Sequence, residues 1–334
     1  MRQRFELSAV RLLLNIFRVG LFENPYLNPI ESNQIVGEAR NMKIALITGA
    51  NSGLGYASTQ ALLKENYYIY MACRSEAKAL EAINTFDVEL RDKVEYIHCD
   101  LSSFDSIRAC ADHILKNEKQ LNAVMLNAGL MATPPSETKE GYEMQIGVNV
   151  LGHALLADLL LPLIKTTPDA RVISLSSVAS NSGRPLQKEM LKLTKEYRPW
   201  GSYSNSKLGD VYYAKALAQY FREQDIDALS IAAHPGGTAS QLQINTRKMG
   251  GVGISGPFWV YVMKFFGMTI HQGALSQLMG VLSNEVKNGD YIGPKGSGSA
   301  FKGNAKVIEN YSVTEDNLED FRSLIKNELS LTHL

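Results

Sequence analysis

Lys43-Ile-Ala-Leu-Ile-Thr-Gly-Ala-Asn-Ser-Gly-Leu-Gly55 is the stretch that decides the fold. Ile44 to Ile47 is a continuous apolar run, short enough for a buried strand rather than a helix. Gly49, Gly53 and Gly55 follow at once. A helical stretch comes next, with Leu54, Ala57, Ala61 and Leu62 on one face and Lys64 and Glu65 near its end. Strand, glycine turn and helix begin a βαβ unit that binds a dinucleotide: glycine lets backbone approach phosphate, and the N–H groups at a helix N-terminus attract anions. The spacing is G-x-x-x-G-x-G, and a glycine triplet alone could serve only a tight packed turn. Its position between a buried strand and a helix favours a dinucleotide, with Gly49, Asn51, Ser52, Gly53, Leu54 and Gly55 as candidate contacts.

Outward from that turn the pattern alternates. Strands are expected at 44–48, 68–73, 94–98, 123–127, 170–176, 228–233 and, briefly, 290–293. Helices are expected at 53–65, 76–86, 103–117, 140–165, 203–224, 271–284 and 315–330. Short apolar strands separated by helices mean an α/β fold, doubly wound, with a mainly parallel seven-stranded sheet covered on both faces. In such a sheet ligands sit beyond the carboxyl ends of the strands.

The chain has 334 residues, enough to bury a full core, and its 34 Lys+Arg balance 34 Asp+Glu. Nothing in that balance points to a nucleic-acid surface. Cys73, Cys99 and Cys110 are odd in number and lack metal-ligand spacing, which fits buried thiols in a reducing, cytoplasmic setting, and no metal site is expected. No apolar stretch reaches about 18 residues without a charge, so no spanning helix is expected. The domain reading is an N-terminal extension over 1–41 and a single catalytic domain over 42–334. In the extension Arg4, Arg11 and Arg18 form one polar stripe with Ser8 and Asn15, while Phe5, Ala9, Leu12, Leu13, Ile16 and Phe17 cover the rest. This basic amphipathic helix could lie on a membrane surface, target the chain to an organelle, or pack on the protein itself or a partner subunit.

Candidate ligand residues follow each strand. Arg74 stands where an acidic residue would hold an adenosine ribose 2′-hydroxyl; an arginine there suits a 2′-phosphate and favours NADP(H) over NAD(H), although it could also be a solvated surface charge. Asp100-Leu101 follows the third strand, and Asp100 could accept from an adenine amino group or cap the next helix. Asn127-Ala128-Gly129 would let the chain pass close to a ribose, or form a plain turn. Asn149 lies inside a helix between Gly147 and Gly152, a position where asparagine is unfavourable and needs a partner if buried. Ser176 and Ser177 would face opposite sides of the fifth strand, so only one can face the cleft. Tyr203 and Lys207 are four apart on a helix and share a face. A nearby ammonium favours the ionised phenol, and a tyrosine so tuned can exchange a proton with an alcohol while a nicotinamide handles the hydride. Pro235 and Gly236 enforce a turn, and Thr238 could bond a phosphate or carboxamide. Residues 239–270 combine a glycine hinge with an aromatic helix. They read as a lid for a lipophilic or ring-bearing substrate, or as a packing or subunit contact.

Taken together and in this order, the glycine turn, Asp100, Asn127-Ala-Gly129, Asn149, Ser177, the Tyr203/Lys207 pair and Pro235-Gly236 resemble the short-chain dehydrogenase/reductase family over about residues 43–295. Ala72-Cys-Arg74, Asn149-Val-Leu-Gly-His153 and the 25 residues between Ser177 and Tyr203 are similar to its retinol-dehydrogenase-like and protochlorophyllide-reductase-like members. The resemblance implies a Rossmann fold, NADP(H), a lipophilic carbonyl or alcohol substrate and a homo-oligomer. It implies Tyr203 as acid/base, Lys207 as its support and the holder of the nicotinamide ribose, and Ser177 as the hydrogen-bond partner of the substrate oxygen. Asn149 would hold a relay water, and Pro235, Gly236 and Thr238 would line the nicotinamide and pyrophosphate. Leu126 replaces an asparagine frequent in the family, and the insert is unusually basic (Arg184, Lys188, Lys192, Lys195, Arg198). The expected activity is carbonyl–alcohol interconversion; the alternative is a non-catalytic NADP(H) sensor on the same fold.

Overall fold

The computed structural model describes residues 42–238, 267–296, 299–309, 313–331 and 333. The N-terminal helix expected in 1–41 lies outside these residues, as does the lid expected in 239–270 except for its last four positions, 267–270. The elements are β1 (Lys43–Thr48), α1 (Gly53–Lys64), β2 (Tyr67–Cys73), α2 (Glu76–Ile83), β3 (Val94–His98), α3 (Phe104–Asn117), β4 (Ala123–Leu126) and α4 (Met144–Thr166). Then come β5 (Ala170–Leu175), α5 (Pro199–Glu223), β6 (Ala228–Ala233), α6 (Ile270–Leu282), β7 (Tyr291–Gly296), β8 (Ser299–Ile308) and α7 (Glu315–Leu329).

The strands form one sheet in the order β3-β2-β1-β4-β5-β6-β7-β8. Every pairing is parallel except β7 with β8. The inner strands β1, β2 and β4 are largely apolar on both faces because both are covered. Ile44 and Leu46 of β1 face a layer built from α3, α4, α5 and α7. Ala45 and Ile47 face the opposite layer of α1, α2 and α6. Each fully buried aliphatic side chain contributes about 1.5–3 kcal/mol. The strand order reverses between β1 and β4, which opens a crevice at the carboxyl edge.

Three departures from the sequence reading bear on the site. The sheet has eight strands rather than seven: β8 runs antiparallel along the edge, its exposed Lys302, Asn304 and Lys306 alternating with the less exposed Gly303 and Ala305. Edge strands tolerate such charges, which discourage further pairing. Helix α5 begins at Pro199, four residues earlier than expected, with proline in the first turn where its missing N–H costs nothing. Helix α4 starts at Met144 and opens with a π-helical turn over Gly147–Leu151. It is long and apolar enough to cross a membrane, but it is a core helix, largely buried between the sheet and its neighbours.

Candidate active site

The glycine turn is held open by its own backbone. Gly53 adopts φ +55°, the left-handed region glycine enters freely, and a Cβ there would meet nothing within 4 Å. The N-cap of α1, Ser52, makes no side-chain cap bond, and no acidic residue sits in the first turn. Backbone N–H groups therefore face an open cradle, as a pyrophosphate requires. Gly55 shows the opposite constraint: a Cβ would lie 2.5 Å from Gly49 O and 2.6 Å from Asn127 Nδ2. The residues present fit a dinucleotide.

Asn127 closes the turn against β1. Its Nδ2 donates to Thr48 O at 2.8 Å, and its own N–H and that of Ala128 donate to Thr48 Oγ1, both at 2.9 Å. Thr48 Oγ1 also lies 2.9 Å from His153 Nε2, while His153 Nδ1 lies 2.9 Å from the Asn149 carbonyl. A carbonyl only accepts, so hydrogen bonding assigns the proton to Nδ1, and Nε2 accepts from the threonine. Burial pushes the imidazole down to about 3, so it stays neutral. Gln277 on α6 adds a third brace, its Nε2 donating to Ser58 Oγ at 2.6 Å and to Asn127 Oδ1 at 3.2 Å.

The second half of the site rises from α4, β5 and α5. The Asn149 side chain is fully buried and its partners are found: Nδ2 donates to Leu130 O and Ser206 Oγ, and Oδ1 accepts from Leu130 N–H at 2.8 Å. The adjacent serines diverge just beyond the end of β5. Ser176 Oγ donates to the Lys207 carbonyl at 2.6 Å and is buried. Ser177 is half-buried, and its oxygen accepts from Ala179 N–H at 3.2 Å, which leaves its own proton to donate elsewhere. Tyr203 packs against Met131, Ala132 and Ala179, with Trp200 edge-on at 6.0 Å between ring centroids. Lys207 Nζ donates to Leu175 O at 2.8 Å and to Asp210 Oδ2 at 2.7 Å. Among the described residues these are its hydrogen bonds, and neither goes to the Tyr203 hydroxyl. Gly129 marks where the halves meet: a Cβ there would lie 3.3 Å from Asn149 Oδ1 and 3.5 Å from Lys207 Nζ.

The other candidates line the same carboxyl edge. Arg74 is exposed at the end of β2. Asp100 Oδ1 accepts from Ser102 N–H and Oγ, and Ser103 rather than Asp100 is the N-cap of α3; Leu101 beside it is buried. Gly236 has φ +70°, and Thr238 Oγ1 donates to Pro235 O at 2.9 Å, so that turn is closed by its own side chain. The three cysteines are buried free thiols, and among the described residues no cluster of three His, Cys, Asp or Glu is placed to hold a metal ion.

Sequence reasoning did not single out Asp210, Gln277 or the bracing role of Thr48. Asp210 carried the one local signal, its i,i+3 spacing from Lys207.

Comparison with known proteins agrees with this geometry. The profile of the short chain dehydrogenase family matches residues 43–250. Retinol dehydrogenase 12 of Homo sapiens is 38% identical over 201 residues, 60% of this chain and 63% of that protein, so the chain spans under two thirds of that relative. Retinol dehydrogenase 11 of Homo sapiens is 33% identical over 253 residues, 75% of this chain and 76% of that protein. Among solved structures, a protein of Mycobacterium paratuberculosis superposes with TM-score 0.70 at 26% identity, covering 87% of this chain and 95% of its own. An NADPH-bound carbonyl reductase from chicken fatty liver shares the fold, with TM-score 0.55 at 21% identity over 75% of this chain and 96% of its own. An eight-stranded Rossmann sheet, its glycine turn and the matches to both profile and relatives lead to one conclusion: this chain belongs to the short chain dehydrogenase family, in its retinol-dehydrogenase-like branch.

Proposed function

We propose that the chain is an NADP(H)-dependent reductase or dehydrogenase that interconverts a carbonyl and an alcohol on a lipophilic substrate. The observation that carries this reading is the convergence at Gly129, where Asn149 Oδ1 and Lys207 Nζ come within 3.3 and 3.5 Å of one point, Lys207 lying on the helix that also bears Tyr203. When bound, the nicotinamide supplies or accepts the hydride at the substrate carbon. The chain's own residues handle the oxygen. Tyr203 gives its phenolic proton to the carbonyl oxygen in reduction and takes the alcohol proton in oxidation. Ser177 donates its free O–H proton to the same oxygen. Lys207 sets a positive charge beside the phenol and holds the nicotinamide ribose, and Asn149 keeps the turn at Leu130 in place above them.

Arg74, exposed at the end of β2, supports the preference for a 2′-phosphate. The retinol dehydrogenases among the relatives, and the Met131, Ala179 and Trp200 surface around Tyr203, support a lipophilic alcohol or aldehyde. The same proposal treats 42–334 as one catalytic unit that works as a homo-oligomer, with residues 1–41 resting on a membrane surface.

Tyr203→Phe tests the reading. NADPH binding should persist while turnover on a panel of retinoids, steroids, aldehydes and quinones falls by about 10²–10⁴. Turnover retained within a factor of about ten would remove Tyr203 from the chemistry.

A further inference from the structure

The Lys207–Asp210 pair is buried, both residues being about 95% inaccessible, and lies one turn beyond Tyr203 on the same helix. An ammonium has three N–H donors. Leu175 O takes one and Asp210 Oδ2 takes the second. One remains, yet the proposed reaction asks Lys207 to serve both the ribose and the phenol. We infer that Asp210 is the positioning residue of this site: its carboxylate tethers the Lys207 ammonium when no cofactor is bound, and it takes up a proton as the cofactor claims that ammonium.

The surroundings allow this. Within α5 Asp210 faces Lys207; from β7 it faces the phenol of Tyr291, which burial keeps protonated. His153 of α4, beside Lys207, is neutral, and so is His234, whose ring lies 5.4 Å from Tyr291 and which burial pushes down to about 4. Burial pushes the Asp210 carboxyl up to about 7, with Lys207 opposing the shift. Asp210 can therefore change charge near neutral pH while these flanking histidines and the phenol do not. A neutral Asp210 releases the second N–H of Lys207 and removes a negative charge from beside the ammonium that an anionic cofactor would engage, so cofactor binding and protonation of Asp210 favour each other.

The inference rests on the proposed NADP(H) function, and an equilibrium experiment separates the two. NADPH affinity is measured by fluorescence titration from pH 6.5 to 8.5 for the wild-type protein and for Asp210→Asn, with NADH as a control for the 2′-phosphate. Wild-type affinity should weaken on the alkaline side, by up to about tenfold per pH unit, the limit for one linked proton. Asp210→Asn should flatten that slope and bind at pH 8.5 as the wild type binds at pH 6.5. A residue that only supports the fold would weaken binding at every pH and leave the slope. An unchanged slope in Asp210→Asn, or a flat wild-type profile, overturns the inference alone. Failure of the wild type to bind either nucleotide overturns the functional reading and the inference with it. If Asp210→Asn does not fold, calorimetry of NADPH binding to wild-type protein at pH 8, in two buffers of different ionisation enthalpy, decides. Net proton uptake supports the inference and zero uptake sinks it.

Discussion

Replacing Gly53 and Gly55 by alanine, one at a time, separates what the glycine turn does for ligand from what it does for the fold. At Gly55 the added methyl would sit 2.5 Å from Gly49 O, 2.6 Å from Asn127 Nδ2 and 3.0 Å from Ala50 Cα, and two of these atoms are backbone. Overpacking of this kind costs about 1–3 kcal/mol, and rigid backbone puts the case at the upper end. Alanine's better helix propensity returns about 1 kcal/mol. The net is a loss of about 2 kcal/mol, or a melting temperature lower by about 3 °C in a chain of this size. At Gly53 nothing lies within 4 Å, so the only fold penalty is the left-handed conformation at φ +55°, about 1–2 kcal/mol. The methyl there would occupy the cradle itself. Loss of one charge-assisted backbone bond to a phosphate, about 1.5–3 kcal/mol, would weaken NADPH by about 10- to 150-fold. Thermal unfolding of the ligand-free proteins and fluorescence titration with NADPH give both numbers. Gly55→Ala should lose more stability, and Gly53→Ala should lose affinity out of proportion to its stability. Wild-type affinity in Gly53→Ala, or wild-type stability in Gly55→Ala, would refute the reasoning.

Arg74→Ala should lower affinity for NADPH by about tenfold, the weight of one charge-assisted bond, and leave NADH within a factor of about two; equal losses for both would reassign Arg74 to the surface. Three buried groups carry most of the pH dependence of stability. His153 and His234, held near 3 and 4 against about 6.5 unfolded, each favour unfolding as pH drops from about 6 towards 4, because only the unfolded chain takes the proton. Asp210, raised to about 7, has the opposite sign: the folded state already holds its proton over that range. Two against one leaves at most one extra proton bound on unfolding, and Asp158, likewise raised by burial, offsets part of it, so stability should fall by up to about 1.4 kcal/mol per pH unit from pH 6 to 4. Urea melts across that range measure it. His234→Gln should flatten the slope, and an unchanged slope would show that the ring titrates freely.

Legibility in the sequence followed locality. The β1 run, the glycine turn and the Tyr203/Lys207 spacing each lie within a few residues, and family resemblance put them in order. Strand β8 escaped because Lys302, Asn304 and Lys306 break any apolar run, and an edge strand needs none. The interruption at Gly147, Asn149 and Gly152 was visible, but not that it is a π turn, since nothing local fixes which carbonyl the next N–H will reach. The start of α5 at Pro199 was marked by the proline itself and overlooked. The His153–Thr48 bond joins residues 105 apart and could not be read from spacing. Asp210 could have been found, had the i,i+3 neighbour of every candidate lysine been weighed as a counter-ion.

The brace from Asn127 through Thr48 and His153 to Asn149 has a consequence for how the molecule breathes. The amides of Ala128 and Leu130 sit in a surface-facing connection, where rapid exchange with deuterium would be the norm. Their acceptors are the hydroxyl of Thr48 and the amide of Asn149, so neither proton is released unless β1 and α4 separate from that loop. A stretch with no regular secondary structure should thus show the slow isotope uptake of the deepest strands.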